Sequence, residues 1–230
     1  MNSKWVGLAG LIASILIFAV VTCAFEADFD PSVYNPDVSE IVNFEVCEPC
    51  LDGNGFLYAW DFDGDGVPEI ETEETPVAHA FSAAGYHEVT LTVSDLGGRT
   101  SVRRKGIQVG SLPAFAVREL LPQSDGTILV LVTVNVTADC RAIGFEEQMP
   151  KGWQVEVVDV AGAFAFPNPL TKNLEVVWGN EFAVGDTVTF SYRLHPGYSS
   201  TLQGLSGKFS GYVEEDRFVG QIAGELGMAQ

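Results

Sequence analysis

Residues 85–95 read Gly-Tyr-His-Glu-Val-Thr-Leu-Thr-Val-Ser-Asp, which is the clearest strand pattern in the chain. Val89, Leu91 and Val93 alternate with polar residues, so the apolar side chains share one face of an extended backbone. Turn-forming residues bound the stretch, with Gly85 on one side and Gly97-Gly98 on the other. The alternation and its boundaries predict a half-buried β-strand.

Similar patterns recur in both directions along the chain. Strands are predicted at 40–46, 56–60, 77–81 and 99–109, and then, after a turn-like linker at 110–113, at 126–137, 153–160, 174–178, 186–194 and 207–213. The 24 Gly and 11 Pro suit such a turn-rich chain. Closely spaced short strands are typical of β-sandwiches. We therefore predict an all-β protein with two sandwich domains in tandem, at residues 25–110 and 111–230.

Composition limits the classes of partner. The chain has 230 residues, of which 47% are hydrophobic and 19% charged, so it can build packed cores. Its 31 Asp and Glu against 12 Lys and Arg give a formal net charge of −19. Nucleic-acid binding depends on cationic contacts to phosphate, and docking on anionic lipid needs the same charge. We expect neither for the body of this protein.

Residues 1–24 predict export. Lys4 precedes an uncharged apolar run at 5–21, and acidic residues begin at Glu26. One positive charge, a long apolar run and small residues at Thr22 and Ala24 describe a secretory signal cleaved after Ala24. The apolar run also approaches the ~20 residues that span a bilayer, so an uncleaved membrane anchor is the alternative. We expect an extracellular or cell-surface protein that contacts the membrane only through this segment.

Cys23 offers a further mode of anchoring. The sequence Val20-Val21-Thr22-Cys23 resembles a bacterial lipobox, which implies lipidation of the Cys23 thiol. Thr22 departs from the usual Gly, Ala or Ser before the cysteine, and Phe25 and Glu26 are poor neighbours for a lipidated residue. Lipidation at Cys23 is therefore a third alternative beside the cleaved signal and the uncleaved anchor.

The other cysteines are Cys47, Cys50 and Cys140. Cys47 and Cys50 form a C-x-x-C, but the sequence has no second such pair to complete a four-thiolate zinc site. A redox C-x-x-C needs a helix N-terminus that lowers the thiol pKa, whereas Cys47 ends an alternating strand. In an oxidising exterior we expect a local Cys47–Cys50 disulfide, and the alternative is that Cys140 pairs with one of the two.

Four motifs carry a resemblance to the PKD domain family. The run from Tyr58 to Gly66 is similar to that family's Y-x-W-D-F-G-D-G signature, with Asp63 as an extra acidic residue. The segment 76–81 matches P-x-x-H-x-Y/F, residues 85–95 match G-x-Y-x-V-T-L-x-V-x-D, and residues 107–109 match the closing I-x-V. The resemblance covers about 25–110 and implies an immunoglobulin-like sandwich used as an extracellular module.

The second segment carries a looser resemblance. The runs 149–153 and 184–190 resemble the L-P-x-G-W and G-D-T-V-T motifs of bacterial and archaeal surface-repeat sandwiches. This resemblance implies a second immunoglobulin-like sandwich after the first. The same segment contains Asn135-Val136-Thr137, which is a glycosylation sequon within a strand pattern.

The acidic loop is the sharpest candidate for chemistry. Asp61, Asp63 and Asp65 have the D-x-D-x-D-G spacing of calcium loops, in which alternate carboxylates converge on the ion. Thr72 at position twelve and Pro68 inside the loop exclude an EF-hand. We expect a calcium site in a β-loop, and the alternative is a solvated acidic turn. In the resembled family the turn after strand 86–93 can lie near this loop, which implies Asp95 as a fourth ligand.

Catalytic signatures are absent from the sequence, which contains no H-E-x-x-H, G-x-S-x-G or G-x-G-x-x-G. We therefore expect no enzyme. Trp153 and Trp178 are candidates for stacking on a carbohydrate, with a place in the core as the alternative reading. We predict a non-catalytic binding, adhesion or spacer module whose partner is an extracellular protein or a glycan. The alternative function is a carbohydrate-binding accessory module of a secreted hydrolase system.

Overall fold

The computed structural model of the chain describes residues 25–47, 55–168, 172–197, 202 and 204–227. The described residues form eighteen β-strands and contain no helix, which confirms the all-β fold class. Among them there is accordingly no helix with the length and apolar character needed to cross a bilayer. The predicted signal or anchor at 1–24, including Cys23, lies outside the described residues.

The strands alternate with short turns along the whole described chain. The first seven are β1 (Phe29–Pro31), β2 (Ile41–Val46), β3 (Leu57–Asp61), β4 (Ile70–Thr72), β5 (Val77–Ala80), β6 (Gly85–Ser94) and β7 (Thr100–Val109). The next six are β8 (Ala114–Pro122), β9 (Ile128–Val136), β10 (Cys140–Gln148), β11 (Trp153–Asp159), β12 (Phe164–Asn168) and β13 (Asn173–Val177). The last five are β14 (Glu181–Phe182), β15 (Thr187–Pro196), β16 (Ser206–Val213), β17 (Asp216–Gln221) and β18 (Ala223–Glu225).

An aromatic core fills the first sandwich. The sheet β1-β2-β5 packs against the strands β7-β6-β3-β4, and the apolar residues of both layers form one buried cluster between 27 and 109. Trp60 is fully buried at its centre, 5.1 Å from the ring of Phe29, 5.7 Å from Phe44 and 5.8 Å from Phe62. Such aromatic pairs add to the free energy of burial because the ring edges and faces attract.

A second core lies between residues 114 and 222. Here the sheet β12-β13-β10-β16-β17 packs against β11-β15-β9-β8. Phe145 of β10 meets Phe190 of β15 edge to face, with ring centroids 4.7 Å apart, which joins the two layers. The structure thus has two cores, while the predicted domain boundary at 110/111 stays a prediction.

The short strand β18 connects the two sandwiches into one sheet. It runs parallel to β8, with Ala223 opposite Val117, and antiparallel to β7, with Gly224 opposite Gly106. The result is a continuous nine-stranded sheet in the order β11-β15-β9-β8-β18-β7-β6-β3-β4. The last described strand of the chain is therefore shared between both halves of the molecule.

A buried ion pair supports β18 from the second core. Arg118 of β8 pairs with Glu147 of β10, both side chains are fully buried, and the Tyr192 hydroxyl donates to the second oxygen of Glu147. The same guanidinium donates from Nε to the Glu225 carbonyl (2.6 Å) and from Nη2 to the Leu205 carbonyl (3.0 Å). Arg118 thus stabilises the position of β18 by a hydrogen bond to its backbone at Glu225.

A second group of charges supports β18 from the first sandwich. Arg103 Nη2 lies 2.5 Å from Glu225 Oε1, and Lys105 Nζ lies 3.5 Å from the same oxygen. Lys105 also lies 3.1 Å from both Asp28 Oδ1 and Asp30 Oδ1. Burial alone would lower the pKa of Lys105, but the surrounding acidic groups raise it above its ordinary value. The ammonium group therefore stays charged, and its partners stay bound to it.

Candidate functional site

The acidic loop after β3 brings four carboxylates together. One carboxylate oxygen each of Asp61, Asp63, Asp65 and Glu69 lies within 4.8 Å of the others. Hard oxygen ligands at this separation suit a calcium ion. Three of the four were expected from the D-x-D-x-D-G spacing. Glu69 was not, because its carboxylate reaches back from the far side of the turn to accept the Phe62 amide at 2.7 Å.

The backbone of the loop curls around these carboxylates. Asp61 accepts the amides of Gly64 (2.7 Å) and Gly66 (2.9 Å), and Asp65 accepts the amide of Val67 (2.7 Å). Gly64 and Gly66 adopt positive φ angles of 76° and 87°, which L side chains rarely adopt. The two glycines thus allow the tight curl that places alternate carboxylates on one side.

Asp95 does not belong to this cluster, and its prediction as a fourth ligand is wrong. In the β3–β6 ladder Asp61 is opposite Thr90, whereas Leu57 at the other end of β3 is opposite Ser94. Five residues of extended chain, about 16 Å, therefore separate Asp95 from Thr90, the residue opposite Asp61. Asp95 instead accepts Arg99 Nε at 2.6 Å and the Arg99 amide at 2.8 Å, and these bonds lower the pKa of its carboxyl.

The two tryptophans proposed for carbohydrate contact have different environments. Trp178 is 2% exposed, and its indole N–H donates to the Ala161 carbonyl at 3.1 Å. It belongs to the core, so the prediction of a sugar contact at Trp178 is wrong. Trp153 is half-buried at the start of β11 and lines a cavity of about 470 Å³. The structure therefore leaves Trp153 as the candidate of the pair.

The cysteines show no reactive thiol among the described residues. Burial, followed by the charges of Asp30 and Asp28, raises the pKa of the Cys47 thiol to about 12. Its Sγ lies 3.4 Å from Asp30 Oδ2. A thiol so far from ionisation is a poor nucleophile at neutral pH. Cys50, the predicted disulfide partner, lies outside the described residues, and Cys140 is a buried free thiol.

The sequon places Asn135 on an inner strand. β9 lies between β8 and β15, and the half-buried Asn135 side chain accepts the Thr187 hydroxyl at 3.4 Å. Thr137, the last residue of the sequon, hydrogen-bonds the Leu112 carbonyl. Glycan attachment at Asn135 stays a prediction.

A larger cavity of about 580 Å³ lies at the junction of the two sandwiches. Its polar lining includes Asp28, Asp30, Lys105, Arg118 and Glu225. These are the groups that hold β18, and the cations among them are already paired. These charged groups therefore stabilise the junction of the two sandwiches through their ion pairs with one another.

The comparisons with known proteins agree with this architecture. Residues 38–105 match the family model of the PKD domain. This part of the chain is similar to PKD domains. Collagenase ColA of Clostridium perfringens (strain 13 / Type A) is 36% identical over 90 residues, which make up 38% of this chain and 8% of that protein. The chain thus matches only a small part of the collagenase.

Two solved structures have a distant likeness to the chain. A carbohydrate-binding module of the β-sandwich superfamily has 16% identity and a TM-score of 0.33, covering 91% of this chain and 99% of that one. Chitinase ChiA74 from Bacillus thuringiensis has 11% identity and a TM-score of 0.39, covering 75% of this chain and 26% of the chitinase. At these TM-scores the likeness carries no argument about ligand or activity.

Proposed function

We propose that the protein is a non-catalytic extracellular binding module in which the PKD domain and the second sandwich are held in one fixed orientation. The observation that carries the proposal is β18, which pairs with β7 and β8 at once. A linker at 110–113 alone would leave the two halves free to reorient. The shared sheet and the charges around Glu225 oppose that motion. A rigid body of this kind suits adhesion, surface assembly or presentation of a binding face.

Four observations support the extracellular and non-catalytic parts of this proposal. Residues 38–105 match the PKD family model, and the apolar run within residues 1–24 predicts export. The titratable groups at the junction are committed to ion pairs. The carboxylates of the acidic loop accept backbone amides, an arrangement that suits a structural calcium ion better than acid–base chemistry. We propose calcium at this loop as a stabilising ion.

Small-angle X-ray scattering in solution tests the fixed orientation. The proposal predicts that a single rigid arrangement of the two sandwiches reproduces the scattering profile over the whole angular range. Raising the salt concentration should leave the profile unchanged, because backbone pairing rather than exposed charge sets the orientation. A profile that requires a broad ensemble of orientations would contradict the proposed function.

A second candidate function is a carbohydrate-binding accessory module. The observation that favours it is the cavity of about 470 Å³ that Trp153 lines, because its volume is in the range that holds small ligands. A glycan array tests this function. Binding should be weaker for Trp153→Phe than for the parent. Leu96→Ala, at an exposed position of the first sandwich, should bind like the parent. Equal binding by both variants would reject a glycan site at this tryptophan.

A further inference from the structure

The cavity beside Trp153 lies at an open edge of the second sandwich. β11 ends one sheet and β12 ends the other, so this side of the sandwich has no strand to close it. The cavity is lined at its apolar side by Met149, Pro150, Trp153 and Pro167. A volume of about 470 Å³ falls within the range of small-molecule pockets.

Among the described residues, the cavity also holds two cations that form no ion pair and donate no side-chain hydrogen bond. The structure describes eleven of the twelve Lys and Arg residues, since Lys4 lies outside it. Seven of the eleven form ion pairs, and Arg141 and Arg217 donate hydrogen bonds. The two that remain are Lys151 and Lys172, and both line this cavity. In a chain of net charge −19, two unpaired lysines at one cavity form an isolated cationic site.

Two further groups at the cavity have unused hydrogen-bonding capacity. The indole Nε1 of Trp153 is buried and has no acceptor among the described residues. Asn173 donates its amide nitrogen to Glu146 Oε1 at 2.6 Å, which leaves its carbonyl oxygen as an acceptor. A buried donor without a partner costs free energy, so a ligand hydroxyl that reaches this N–H on binding would recover that free energy.

Lys172 is held in an unusual backbone conformation. Its φ angle is 61°, in the left-handed region, and its amide donates to the Asn168 carbonyl at 2.9 Å. Its own carbonyl accepts the Met149 amide at 2.9 Å, which ties the turn before β13 to the segment before β11. The two lysines therefore sit on segments that are hydrogen-bonded to each other.

We propose that this cavity binds an acidic saccharide, that is, a sugar unit that carries a carboxylate, with Lys151 and Lys172 pairing with the charge and Trp153 contacting the ring. The apolar face of a pyranose ring matches an indole, its hydroxyls match the Trp153 N–H and the Asn173 carbonyl, and the carboxylate matches the lysines. This proposal deepens the second candidate function and does not depend on the rigid junction.

An acidic peptide shares the charge but not the rest of the match. The carboxylates of an acidic peptide could pair with Lys151 and Lys172. The peptide backbone, however, has no hydroxyl groups for the polar lining and no flat apolar ring face for Trp153. The cavity therefore favours a sugar, and a peptide becomes an outcome that the experiment separates.

The test is isothermal titration of the full chain with trigalacturonate, its fully methyl-esterified form, and a triglutamate peptide of equal charge. The proposal predicts binding of trigalacturonate and binding that is about tenfold weaker or absent for the ester and the peptide. Lys151→Gln and Lys172→Gln should each weaken trigalacturonate binding about tenfold. Arg217→Gln is the control, because that exposed cation of the same sandwich donates to Ser210 Oγ at 3.1 Å and does not line the cavity, and it should bind like the parent.

Three results would overturn the proposal. The first is absence of trigalacturonate binding to folded parent protein. The second is equal affinity for the triglutamate peptide, which would show a site for anions in general. The third is equal affinity for the ester or for the lysine variants, which would remove the charge from recognition. None of these results bears on the fixed orientation of the sandwiches, which scattering tests separately.

Discussion

Replacing Gly224 by alanine tests how β18 is seated between the two sandwiches. Gly224 has a φ angle of 86°, and a Cβ atom built on it would lie 2.2 Å from the Arg118 carbonyl oxygen and 2.9 Å from the Arg118 amide nitrogen. These are backbone atoms of β8, inside the sheet. They cannot move aside as a flexible side chain would, so in the variant β18 itself has to move.

The expected loss of stability has two parts. An L residue in the left-handed region costs about 1–2 kcal/mol. Overpacking costs typically about 1–3 kcal/mol more. Gly126 supplies the matched control, because its φ angle is 81° and a Cβ atom there meets nothing within 4 Å. Gly126→Ala should therefore lose about 1–2 kcal/mol, and Gly224→Ala about 2–5 kcal/mol in total.

Differential scanning calorimetry measures both the size of the loss and the coupling of the two sandwiches. The parent should unfold in one cooperative transition, since β18 belongs to both halves. Gly224→Ala should melt lower than Gly126→Ala by several degrees, because about 1 kcal/mol corresponds to roughly 2–4 °C in a chain of this size. Its transition should also split as the halves uncouple. Equal melting temperatures for the two variants would refute the seating of β18 described above.

Three further perturbations have defined outcomes. Arg118→Met should cost about 3–5 kcal/mol in urea unfolding, because it leaves the buried Glu147 without its cation. The double variant Arg118→Met/Glu147→Leu should recover part of that loss, since the bonds of Arg118 to the Glu225 and Leu205 carbonyls stay absent. A double variant no more stable than the single one would argue against the buried pair. Calcium at ten times its dissociation constant should stabilise the parent by about 1.4 kcal/mol. Asp63→Asn should reduce this gain in thermal melting, while Asp95→Asn, in the turn after β6 and outside the cluster, should keep it. Equal melting of the parent with calcium and with chelator would show that the loop is a solvated turn. Burial raises the pKa of Tyr34 from its ordinary 10 to about 12. The neutral phenol therefore contributes its full share to the free energy of unfolding below pH 10. That contribution is lost as the pH rises through 12. The urea midpoint should fall over that window, and Tyr34→Phe should make the fall shallower; an unchanged slope would show that Tyr34 is accessible to solvent.

The strands most readily predicted from sequence are those with a long run of alternating or continuous apolar residues between turn residues. β6 and β9 are of this kind, and the structure confirms both. β8 and β10 were not predicted because Arg118 interrupts one pattern and Glu147 the other. In the fold these two charges satisfy each other in the core. A buried charge is compatible with a strand only when its partner lies across the sandwich, and no local pattern shows that partner.

Candidate sites formed within one loop could likewise be predicted from the sequence, whereas sites formed by separate segments could not. Asp61, Asp63 and Asp65 converge because the curl of a single loop brings them together, so their spacing in sequence was sufficient. Asp95 was misplaced because its position depends on the register between β3 and β6. Lys151 and Lys172 are brought to one cavity by hydrogen bonds between separate segments. Sequence spacing carries no information about that pairing.

Native-state hydrogen exchange at β18 tests the fixed orientation of the two sandwiches most directly. A strand with neighbours on both sides opens only when a large part of the structure opens, whereas a frayed terminus exchanges almost freely. The shared sheet predicts that the amides of residues 223–225 are protected to the same degree as the facing amides of β7 and β8. Exchange of these amides at the rate of an unstructured chain end, while β7 and β8 stay protected, would contradict the account.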